Sequence, residues 1–144
     1  MDPFARWFVV SALGYLLAGS SLGLAMGIRP DWLYYLLPAH THLNLVGWMS
    51  FMIFGVGYHI LPRFSGRPLH STRLAWWHLW LAQAGLLLQV AGFLRYRLSE
   101  EARGSALIAF GGTLIFLGML LFVYNIVRTV RPPRRAGGRP QSRA

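Results

Sequence analysis

Three of the five histidines in this chain stand in one uncharged stretch. His40 and His42 lie in Ala39-His40-Thr41-His42-Leu43-Asn44-Leu45-Val46-Gly47-Trp48, and His59 follows in Tyr58-His59-Ile60-Leu61-Pro62. A neutral imidazole offers a lone pair to a metal, and a polar group at membrane depth is costly enough that it usually has a function. The chain has no cysteine, which removes disulfides, thiolate metal sites, iron–sulfur clusters and covalent c-type heme attachment together. Any metal site must then draw on His, Met, Tyr or carboxylate. His40 and His59 are nineteen residues apart, roughly 28 Å along a helix, so they cannot hold one ion. His78, on the next apolar run, shares the depth of His59. That makes His59 and His78 a candidate second pair, although a buried histidine more often just hydrogen-bonds a neighbour.

Membrane helices must position these side chains. The 144 residues are 55% hydrophobic, with uncharged runs over residues 7–28, 32–61, 74–94 and 104–127, each near the ~20 residues that cross a bilayer. The expected fold is all-α: a four-transmembrane-helix bundle with short loops, helices at about 7–28, 39–61, 73–94 and 105–127, and one domain over 1–127. Pro38 reads as the first turn of the second helix and Pro62 as its end. On that helix His40, Asn44, Gly47, Phe51 and Tyr58 share a face, and His42 points elsewhere. Gly47 leaves room for a flat ligand or a close helix. On the third helix His78, Ala82, Gly85, Gln89 and Gly92 form a stripe that should face the bundle interior. Gly19, Gly23 and Gly27 make a small-residue seam on the first helix, for packing inside the bundle or between copies. The fourth helix, apolar nearly all round, reads as packing or lipid-facing.

The net charge of +10 comes from arginine alone, since there is no lysine. Arg63, Arg67 and Arg73 crowd the second loop, six arginines follow from Arg128 to Arg143, and Arg6 lies on the same side. Arg29, Arg95, Arg97 and Arg103 on the opposite side are offset by Asp31, Glu100 and Glu101. The positive-inside rule then puts both termini in the cytoplasm, an N-in/C-in arrangement. The first run lacks a convincing cleavage site and reads as a helix rather than a signal peptide. Residues 128–144 read as a basic, disordered cytoplasmic tail suited to membrane lipid, and no nucleic-acid role is assigned.

Together, the second and third helices resemble subunit I of the heme-copper oxidases and nitric oxide reductases. The residues that carry the likeness are Ala39-His40-Thr41, Leu61 and Pro62 with Gly66, Arg73-Leu74 and Trp80-Leu81. The phrase from His40 to Trp48 and Gly66-Arg67-Pro68-Leu69 are most similar to cbb3-like members, and the likeness runs from about Ala39 to Phe93. It implies that His40 is an axial ligand of a heme b, with His42 beside it, Gly47 in the slot for the ring, and Arg29, Arg95 and Arg97 for the propionates. The family's copper ligands and other heme ligands come from later helices, so no catalytic residue is assigned and the chain is not read as an enzyme. The implied function is a small membrane b-type heme protein for electron transfer or for binding NO or O2. No second imidazole lies at the depth of His40 except His42, so the site is five-coordinate or is completed by another copy in a homo-oligomer. A respiratory-chain redox partner and a bacterial or archaeal cytoplasmic membrane fit that reading. Two alternatives stand beside it: a cofactor-free accessory or assembly subunit of a respiratory complex, and a copper-handling protein using His40, His42 and nearby Met49 or Met52.

Overall fold

The structure, a computed structural model, describes residues 1–99 and 102–131. Among them there is no strand. Helix α1 spans Pro3–Ile28; a 3₁₀ turn at Pro30–Trp32 leads into α2, Leu33–His42; a π-helical segment, Leu43–Ser50, joins α2 to α3, Phe51–Phe64; α4 spans Thr72–Ser99 and α5 Ala102–Val130. The pieces from Pro30 to Phe64 run on as one span, so four helical spans are long and apolar enough to cross a membrane. Glu100, Glu101 and the expected tail beyond residue 131 lie outside the described residues.

The helices are longer than the uncharged runs, because arginines such as Arg6, Arg97 and Arg128 continue the helix past the hydrocarbon. An uncharged run measures bilayer thickness, not helix length. Pro38 lies inside α2 rather than at the start of the span, and the start signal is Pro30 with Asp31 in the first turn. Pro62 likewise lies inside α3. That helix closes two residues later in a Schellman motif: Arg67 N donates to Pro62 O at 3.0 Å and Gly66 N to Arg63 O at 3.1 Å, with Gly66 at φ 61°.

The π segment sets the register of the central face. Ala39, Leu43, Gly47 and Phe51 are all buried at a constant spacing of four. In an α-helix of ~3.6 residues per turn that spacing drifts off one face, and the wider π turns hold it in line. This face meets α1. A Cβ on Gly55 would lie 2.9 Å from Ala5 O and 3.0 Å from Phe8 Cβ, and Phe8 packs against Phe51, Phe54 and Tyr58.

Helix α5 is more than a lipid-facing cover. Gly85 and Gly92 of α4 meet Gly104 and Gly111 of α5 backbone to backbone: a Cβ on Gly111 would sit 2.6 Å from Gly85 O. The outward surfaces carry Leu17, Leu24, Ile53, Trp77, Trp80 and Phe116, which suits contact with lipid. Asp2 and Phe4 line a cleft with the α3–α4 loop, and Arg67 of that loop donates to Arg131 O, so both ends of the described bundle lie on one face.

Candidate functional site

The ring of His40 lies against α1. Its Nδ1 is 2.8 Å from Gly19 O, and a Cβ on Gly23 would sit 2.8 Å from its Cε1. The Asn44 amide nitrogen also lies 3.3 Å from Nδ1, but the carbonyl is closer and only accepts, so Nδ1 carries the proton and Nε2 keeps the lone pair. Asn44 holds the same turn, its Nδ2 donating to His40 O at 2.9 Å, and its amide packs on Gly19, where a Cβ would come within 2.5 Å. The glycine seam is therefore used inside the bundle at Gly19 and Gly23, while Gly27 has open space.

His42 has the same tautomer for the same reason: its Nδ1–H donates to Pro38 O at 3.0 Å. Its ring packs on Phe93 of α4, 4.6 Å between centroids, on a different side of the helix from His40. The two imidazoles do not converge. Gly47 is buried, and the space beside it is filled. A Cβ there would meet Tyr15 at 2.8 Å and Leu86 Cδ2 at 2.9 Å, so the slot expected for a flat ligand is a helix contact instead.

At the other end, His59 and His78 are not brought together. Adjacent residues on a helix point about 100° apart, and Tyr58, not His59, meets His78. The Tyr58 hydroxyl lies 3.1 Å from His78 Nδ1, with Phe8, Phe54 and Phe122 around the ring. His59 instead accepts from Arg63, whose guanidinium Nη1 is 2.8 Å from its Nδ1. His78 is fully buried and its Nε2 has no partner. Behind Tyr58, Asn125 is also buried; its Oδ1 accepts from Ser71 N at 3.0 Å and its Nδ2 donates to Ser71 O at 2.8 Å. The hydrogen bond of His78 to a neighbouring hydroxyl is the plainer of the two sequence readings; the Asn125–Ser71 contacts were missed, as was Gln83, which accepts from the Tyr15 hydroxyl and donates to Ser11 Oγ at 2.5 Å. A Gln, a Tyr and a Ser within apolar runs were the available signal. His70 is exposed, its backbone N donating to Thr129 Oγ1 at 3.0 Å.

Of the arginines at the His40 end of the bundle, Arg29 pairs with Asp31 at 3.1 Å and lies over Trp32. Arg97 lies over Tyr34, 4.2 Å from the ring centroid, and Arg95 also contacts its surroundings. No cluster of three metal-capable His, Asp or Glu side chains occurs among the described residues.

The family model for cytochrome c and quinol oxidase polypeptide I matches residues 4–142. The chain belongs to this family. Within the oxidase family it is 29% identical to a cbb3-type cytochrome c oxidase subunit of Stutzerimonas stutzeri, over 94% of this chain and 34% of that protein. It is 31% identical to cytochrome c oxidase subunit 1 of Rhodobacter capsulatus, over 94% and 31%. It is 29% identical to a nitric oxide reductase subunit of Stutzerimonas stutzeri, over 92% and 32%. The chain thus spans about a third of the length of the curated relatives it matches. No solved structure matches it. With four spans and bacterial relatives, it is a bacterial integral membrane protein.

The residues present fit a heme at His40 in one respect and not in another. A ligating histidine characteristically donates its second ring nitrogen to a carbonyl, which fixes the tautomer and aims the lone pair, and His40 does so on Gly19. The slot at Gly47 does not fit, since Tyr15 and Leu86 occupy it. His40 would hold such a group only away from the filled space at Gly47.

Proposed function

We propose that this chain is a small membrane heme b protein of the oxidase family, with His40 as axial ligand, serving electron transfer or diatomic gas binding. The observation that carries this is the hydrogen bond from His40 Nδ1 to Gly19 O at 2.8 Å, which leaves the Nε2 lone pair to face a metal. Asn44 and Gly23 hold the ring in that pose. A heme there would supply one-electron redox chemistry. Arg97 and Arg29 stand at the same end as cations for its propionates, although Arg29 would have to share its charge with Asp31. His42 faces α4, so a second imidazole ligand would come from another copy; without one, the open position takes a gas. Neither the whole relatives' catalytic activity nor a copper centre is assigned to this chain.

The experiment is a reduced-minus-oxidised visible spectrum of the protein from heme-replete expression, with a pyridine hemochrome assay. His40→Ala removes the Soret band while membrane insertion stays intact, and His42→Ala keeps it. A band surviving His40→Ala moves the ligand to another histidine. A colourless wild-type protein leaves the accessory-subunit reading, which the filled space at Gly47 favours.

A further inference from the structure

The inner face carries arginines that the site at His40 does not use. A cleft of about 440 Å³ opens there between the start of α1, the α3–α4 loop and the start of α4, lined by Asp2, Phe4, Arg63, Gly66, Arg67 and Thr72 among others. The guanidinium of Arg63 is anchored on neutral acceptors, His59 O and Nδ1, and that of Arg67 on Arg131 O. The only ion pair among the described residues is Arg29–Asp31, so both cleft arginines are held in place without a counter-ion. Asp2 on the opposite wall offsets one of the two charges. Thr72 begins α4, and the positive end of that helix adds to the field. Guanidinium groups fixed at a membrane interface suit a phosphate with two or more acceptor oxygens.

The same helix supplies an apolar wall. From Leu61, next to Pro62 in the cleft, α3 runs into the membrane as a shallow groove of about 390 Å³ lined by Met52, Ile53, Val56, Gly57, Ile60 and Leu61. A charged cleft at the interface and an apolar groove on one helix match the two halves of a phospholipid. We propose that they hold one anionic phospholipid of the inner leaflet, its phosphate on Arg63 and Arg67 and an acyl chain along Ile53, Val56 and Ile60.

The test is native mass spectrometry of the full chain in neutral detergent, titrated with phosphatidylglycerol or phosphatidylcholine. The wild type should retain one phosphatidylglycerol in preference to phosphatidylcholine. A basic side chain near an anionic surface changes affinity about fivefold, so R63Q/R67Q should lower that preference by roughly tenfold or more. R63K/R67K should keep most of it, and R134Q/R135Q/R139Q should leave it intact. If R63Q/R67Q fails to fold, Val56→Trp fills the groove and should lower retention with every charge in place. The proposal is overturned by a wild type without preference, by a preference that survives R63Q/R67Q and Val56→Trp, or by one that disappears with the residue 134–139 variant instead. Displacement of phosphatidylglycerol by an equal concentration of inorganic phosphate would also overturn it, since the site would then bind a free anion.

Discussion

At the scale of the residue, the imidazole of His40 is set by a glycine with no side chain of its own. A Cβ at Gly23 would come within 2.8 Å of His40 Cε1, and the ring has little freedom to retreat because Nδ1 is tied to Gly19 O. Gly23→Ala should therefore turn the imidazole away from α1 and lower heme retention, with the helical circular dichroism unchanged. Gly14→Ala is the control. A Cβ added at Gly14 would meet no atom of another helix or side chain within 4 Å, so the same change there should leave heme content at the wild-type level. Equal heme content in the two variants would mean that the contact with Gly23 does not position the ligand. The sequence singles out His40 as a candidate, through Ala39-His40-Thr41 and its place in an uncharged run. Its tautomer was not, because that depends on a carbonyl twenty-one residues away on another helix.

At the scale of the element, α4 and α5 are held by the close approach of their backbones. The glycines of α4 that read as a polar and small stripe do face inward, but what they meet is α5, where Gly104, Gly111 and Gly118 provide the complementary surface. A Cβ on Gly111 would lie 2.6 Å from Gly85 O and 2.7 Å from Gln89 N, both backbone atoms that cannot rotate away. Gly111→Ala should destabilise the bundle by about 1–3 kcal/mol, the usual range for overpacking. At neighbouring Gly112 the nearest atom is the flexible Gln89 Nε2 at 3.1 Å, and Gly112→Ala should cost less. Thermal unfolding in detergent checks the order; equal midpoints would rule out the close backbone seam. The number and type of spans could be read from hydropathy alone. The extents could not, because Pro38 and Pro62 look like helix ends and lie within helices. The π segment carries no composition signal beyond the four-residue spacing from Ala39 to Phe51, and the sequence reading, which grouped His40, Asn44, Gly47, Phe51 and Tyr58 on an α-helical face, did not use that spacing.

At the scale of the whole molecule, the chain has the length of only about a third of its relatives, yet its interior is already filled by Phe8, Phe51, Tyr58 and Leu86. A cofactor held by His40 would then find no room beside Gly47, where Tyr15 and Leu86 pack. Each chain offers one oriented imidazole, since His42 is turned to Phe93. Spin state and mass are thereby coupled. Two-fold symmetry places the same residue of each copy across the axis, so a six-coordinate, low-spin heme with two histidine ligands should appear only in a dimer, at one heme per two chains. A monomeric fraction should carry one heme per chain, five-coordinate and high-spin, and should bind carbon monoxide or NO readily. Size-exclusion chromatography with light scattering, read with the visible spectrum of each fraction, separates these states. A low-spin monomer that loses its spectrum on His42→Ala would show instead that the α2 turn rearranges to bring both histidines to one iron.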